Sequence, residues 1–95
     1  MATDTFPFDA AKYLDTDESR AELISDAFET GDASYIAAAL GVVARAHGMT
    51  QVARDAGVTR EALYKTLSAE GDPKLSTLLG VMKALNITLR AGKAA

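Results

Sequence analysis

The feature that most constrains this chain is the run from Met49 to Ser68, MTQVARDAGVTREALYKTLS. A helix-compatible stretch of about two turns stops at Gly57, and glycine adopts the positive φ of a tight turn without steric cost. Only Val58 separates that glycine from Thr59, a residue type favoured as a helix cap. The spacing predicts one helix over residues 50–56, a three-residue turn, and a second helix over residues 60–68. Ala53 falls where the two helices cross closely and a small side chain is needed. Val58, Ala62, Leu63 and Leu67 face inward, while Thr59, Arg60, Glu61, Tyr64, Lys65 and Ser68 face outward. This is a helix-turn-helix plan, and a major groove is wide enough to admit the outer face of its second helix.

The flanks read as further helices. Thr16 or Asp17 can cap a first helix that carries Ile24 and Phe28 and stops at Thr30-Gly31. Asp32 can cap a second, in which Ile36, Leu40, Val43 and His47 recur at helical spacing, alanines fill the inner surface, and Gly48 ends the run. Asp72 as cap, with Pro73 at the first helical position, opens a last helix. Its apolar stripe is Leu75, Leu78, Leu79, Met82 and Leu85, its stop is Asn86, and Gly80 marks a close helix contact. Ile87-Thr88-Leu89-Arg90 alternates like a short strand. At 95 residues the chain closes one modest core. The expected fold is therefore all-α, about five helices with a candidate short C-terminal strand.

The charges separate along the chain. Residues 1–32 hold nine acidic and two basic residues, a net charge of −7, whereas residues 33–95 hold eight basic and four acidic ones, a net +4. Phosphate contacts supply most non-specific affinity for DNA, so residues 33–95 are the expected DNA-binding domain and residues 1–32 an acidic arm and helix for another partner. An acidic surface that serves only solubility is the alternative. Phe6-Pro7-Phe8 reads as extended, since proline disfavours helix in the residue before it, and its aromatics dock either on their own domain or on a partner. Neither a membrane-spanning apolar run nor a signal-peptide start is found, which gives the expectation of a soluble cytoplasmic chain.

The run from Gly48 to Ser68 resembles the helix-turn-helix of the HigA-like family of addiction-module antidote proteins. Further likeness lies in Gly71-Asp72-Pro73-Lys74-Leu75-Ser76-Thr77-Leu78-Leu79 with Lys83-Ala84-Leu85, and in Tyr13-Leu14 with Ala33-Ser34-Tyr35-Ile36-Ala37-Ala38-Ala39-Leu40. The resemblance implies a lambda-repressor-like (Xre-type) domain, a cognate toxin of the RelE/HigB ribonuclease type, and repression of its own operon: a type II antitoxin. One departure is Met49, at a position where many repressors of this kind carry glutamine.

Arg60 and Lys65 are the candidates for reading base edges, arginine through paired hydrogen bonds to guanine. Arg60 can equally bind phosphate, and either can be a solvated surface charge. Tyr64 can touch a base methyl or a phosphate, Glu61 can orient the neighbouring cations, and Thr59 and Ser68 complete the outer face. Thr50, Gln51 and Lys74 are placed to grip phosphate. Glu18, Glu22 and Asp26 recur every four residues, which puts three like charges on one helix face. A toxin that binds RNA is basic, so these acids together with Phe6, Phe8, Tyr13 and Phe28 form the candidate toxin-binding region. A homodimer is expected because one short helix reads too few bases of double-stranded DNA, whereas two address half-sites a helical turn apart.

Catalysis and cofactors find little support in the residues. Cysteine is absent, the single histidine, His47, falls on an apolar helix face, and no glycine-rich phosphate loop occurs. The expectation is a protein that is not an enzyme and takes no metal or cofactor. Two other functions stay open: a stand-alone phage-type repressor, and a protein-interaction module on a helix-turn-helix fold.

Overall fold

Capping residues set most of the helix boundaries. In the computed structural model, which describes residues 15–94, the chain forms five helices: α1 (Asp17–Glu29), α2 (Ala33–His47), α3 (Met49–Ala56), α4 (Arg60–Thr66) and α5 (Leu75–Ala84). The Thr16 hydroxyl accepts from the Ser19 amide at 3.1 Å. Asp32 Oδ1 accepts from the Ser34 and Tyr35 amides at 3.0 and 3.2 Å, and Thr59 Oγ1 accepts from the Ala62 amide at 3.0 Å. Each bond satisfies a donor that a helix start otherwise leaves unpaired.

The turn between α3 and α4 is a Schellman motif. Gly57 sits at φ 75°, its amide donates to the Arg54 carbonyl at 3.2 Å, and the Val58 amide reaches back to the Ala53 carbonyl at 3.0 Å. The same device closes α5, where Asn86 takes φ 60° and donates to Lys83, while the Ile87 amide donates to Met82 at 2.9 Å.

The core gathers side chains from every helix. Leu40, Val43, Val52, Leu63, Val81 and Leu85 are all 0% exposed, each contributing roughly 1.5–3 kcal/mol by its burial. Ile24 brings α1 into the same cluster. The most extensive helix pairing is α3 with α5, followed by α1 with α2. A Cβ at Gly80 would lie 3.0 Å from the Ala56 Cα, the close contact that a glycine in α5 implied. Gly41 of α2 is tighter still, because a Cβ there would fall against the backbone carbonyl of Leu67, just past the end of α4. His47, on the apolar face of α2, is half-buried, with its Nδ1 3.2 Å from Arg20 Nη1, and Arg20 in turn lies 3.6 Å from Asp17.

Several local expectations are corrected. The last helix starts at Leu75 rather than Pro73, because Lys74 keeps an extended backbone with ψ 155° and Asp72 caps nothing. Gly71 closes the turn after α4, its amide donating to the Ser68 carbonyl at 2.9 Å, and the first helical bond of α5 runs from the Leu78 amide to the Lys74 carbonyl at 2.9 Å. α4 ends at Thr66, short of Ser68, since Ser68 Oγ donates to the Lys65 carbonyl at 2.9 Å and the backbone turns away at Leu67. Ala62 is exposed, and the inward side of α4 belongs to Leu63. Leu75 and Leu79, assigned to an inward stripe, are 67% and 50% exposed. Residues 87–90 form no strand among the described residues; the bond from Ile87 to Met82 spends its amide on the helix end.

Candidate functional site

Burial divides α4 sharply. Leu63 is completely buried, and Leu67 beyond the helix nearly so, while Arg60, Glu61, Tyr64 and Lys65 project outward. The Arg60 guanidinium lies 5.6 Å from the centroid of the Tyr64 ring, a cation–π arrangement that limits the freedom of the arginine without neutralising it. Among the described residues neither Arg60 nor Lys65 is ion-paired. This leaves two cations, a carboxylate and a phenol on one short outer surface.

The remaining candidates on this side are in different states. The Thr59 hydroxyl is committed to capping α4, and that of Ser68 to the Lys65 carbonyl. Thr50 is exposed in the first turn of α3, a helix whose start has no side-chain cap. Gln51 is exposed, but its amide donates to both Asp55 oxygens at 3.1 Å while Arg54 Nη1 approaches its carbonyl at 3.5 Å. For Gln51 to grip another group, that small network has to rearrange. Lys74 is exposed at the start of α5. Arg54, three residues after Gln51 on α3, is exposed as well. Met49, the departure noted at the first helix-turn-helix position, is 5% exposed and faces the core.

On the opposite flank, Glu18, Glu22 and Asp26 are all exposed along α1. Phe28, at the end of the same helix, is half-buried and packs against the core, so part of its ring is occupied within the fold. Phe6, Phe8 and Tyr13 lie outside the described residues. Within the described residues no cluster of three His, Cys, Asp or Glu side chains is arranged to hold a metal, and no helix is long and apolar enough to cross a membrane.

Comparison with known proteins gives the family. Residues 4–93 match the family model described as "Probable addiction module antidote protein". The chain is 44% identical over 80 residues to an uncharacterized protein of Haemophilus influenzae, an overlap of 84% of this chain and 82% of that protein. No solved structure matches it. The family match takes in all five helices, the cation-bearing α4 and the acidic α1 alike, and on that extent the chain belongs to the family of probable addiction module antidote proteins.

Proposed function

We propose that this antidote is the antitoxin of a type II toxin–antitoxin module: a cytoplasmic homodimer that neutralises a basic toxin of the RelE/HigB type and represses its own operon. It binds operator DNA through a lambda-repressor-like helix-turn-helix of the HigA type, formed by α3 and α4. The observation that carries the DNA half is the division of α4. Its apolar side is sealed in the core while Arg60 and Lys65 stand exposed and without carboxylate partners, which is the form a groove-reading helix needs. Tyr64 holds Arg60 in place, Glu61 shares the outer face without pairing with either cation, Thr50, Gln51 and Lys74 approach phosphates, and Thr59 and Ser68 fix the ends of the helix. The toxin half rests on charge: residues 1–32 carry a net −7, and Glu18, Glu22 and Asp26 form an open acidic face on α1.

Binding of the purified protein to a fragment of its own promoter, measured by fluorescence anisotropy over a range of salt concentrations, tests the DNA half. Arg60→Ala should cost about 1–3 kcal/mol and relax sequence preference at one position. Lys65→Ala should weaken binding to all sequences and flatten the salt slope by about 1 if the lysine meets phosphate. If the double variant keeps wild-type affinity and salt dependence, α4 is not the reading helix.

A further inference from the structure

Arg45 stands in the last turn of α2, and the fold makes no use of its hydrogen-bonding groups. It is exposed and, among the described residues, enters no hydrogen bond or ion pair. One turn earlier on the same helix face is Gly41, the point where α2 comes against the backbone just past the end of α4. A Cβ at Gly41 would fall against the Leu67 carbonyl and would lie 3.4 Å from Arg45 Nη1. The arginine therefore folds back along α2, and its guanidinium stands at the junction of α2 with the end of α4. Lys65, two residues before Leu67, brings a second exposed cation without a carboxylate partner to the same end of α4.

We infer that Arg45 holds a backbone phosphate of double-stranded DNA, on the wall of the groove that α4 enters. The inference rests on the DNA reading above and adds α2 to the surface that reading uses. A helix lying in a major groove fills the space between two phosphate ridges, so an element packed against its end meets a ridge and not the base edges. An arginine at that place offers a phosphate two parallel N–H donors, and no carboxylate of the fold has to be displaced first. A cation in the last turn of a helix also interacts with the helix dipole. That interaction lies wholly within the fold, so it leaves the response of DNA binding to salt untouched. A phosphate contact does not, because each one formed releases condensed counterions from the duplex. Arg45 thus contributes affinity without sequence preference, beside an α4 whose Arg60 supplies the preference.

Fluorescence anisotropy of the full chain on its promoter fragment and on an unrelated duplex, over a range of salt concentrations, tests the contact. Arg45→Gln should keep the helical spectrum, since the side chain is exposed, weaken binding to both duplexes by the same factor, and flatten the salt slope by about 1. Its deficit against the wild type should shrink about 3.5-fold as salt rises from about 50 to about 200 mM, the effect of one lost phosphate contact at a slope of about 0.9. Arg45→Lys keeps the charge and should keep the slope. Lys83→Gln removes a charge from α5, where the lysine lines a groove with Leu79 and Leu89, and should bind with the wild-type slope. An Arg45→Gln protein with wild-type slope overturns the inference, as does an Arg45→Lys that loses the slope or a Lys83→Gln that flattens it equally. Arg60→Ala and Lys65→Ala separate this from the DNA reading. If they weaken binding while Arg45→Gln does not, the inference fails alone, and if the wild type has no affinity for either duplex, both fall.

Discussion

Substituting Gly41 by alanine sets a local preference against a tertiary one. Gly41 lies inside α2, where alanine is favoured over glycine by about 1 kcal/mol. Its new Cβ would fall on the Leu67 carbonyl oxygen, well inside the 3.0 Å below which real Cβ contacts essentially never occur, with the carbonyl carbon at 3.3 Å. The obstacle is backbone, so relief requires moving α2 away from the end of α4. Overpacking of that kind costs about 3 kcal/mol, the upper part of its usual range, which leaves a net loss of about 2 kcal/mol. At roughly 4–8 °C per kcal/mol for a domain of this size, the melting midpoint should fall by about 8–16 °C. Thermal melts followed by far-ultraviolet circular dichroism measure this directly. Gly80→Ala is the control, since its nearest neighbour, the Ala56 Cα, would be at 3.0 Å and the strain is milder; its midpoint should move by less than about 5 °C. If Gly41→Ala melts at or above the wild type, or Gly80→Ala is the more damaging of the two, the close approach of α2 to Leu67 is not as described.

Two further outcomes are expected. Thr59→Ala removes the hydroxyl that caps α4 and should lower stability by about 1 kcal/mol, seen as a midpoint lower by roughly 4–8 °C, whereas Thr59→Ser should keep most of it. Reversing Glu22 and Asp26 to lysine should abolish protection from the cognate toxin in a growth-rescue assay while leaving promoter binding intact, because both are exposed on α1; a reversed protein that still protects would remove α1 from the toxin interface.

Where one residue type has one physical reason to stand at a position, the sequence was enough. Asp32 and Thr59 cap the helices they were expected to cap, Thr16 is the cap of the two offered for α1, Gly57 takes positive φ in the turn, and Asn86 ends α5. The errors fall where tertiary contact overrides a local signal. Asp72-Pro73 has the chemistry of a helix start, yet the backbone stays extended to Lys74, whose carbonyl accepts the first helical bond. Leu75 and Leu79 fit an apolar stripe perfectly well, but α3 covers only part of α5, and a single chain's periodicity does not reveal how wide a face its neighbour covers. At the candidate site, the outward set Arg60, Glu61, Tyr64 and Lys65 follows from the positions of Leu63 and Leu67. The pairing of Gln51 with Asp55 and the seating of Phe28 on the core depend on side-chain choices that spacing leaves open.

The place of Ile24 in the common core ties the fates of the two flanks together. A domain this small unfolds as one cooperative unit, and among the described residues the acidic helix shares its core with Leu40, Val52 and Leu63 and loses it when they part. The acidic α1 and the cation-bearing α4 are therefore present or absent together. Any change that shifts the folding equilibrium, whether heat, a core substitution or a protease acting on the open chain, withdraws both surfaces in the same proportion.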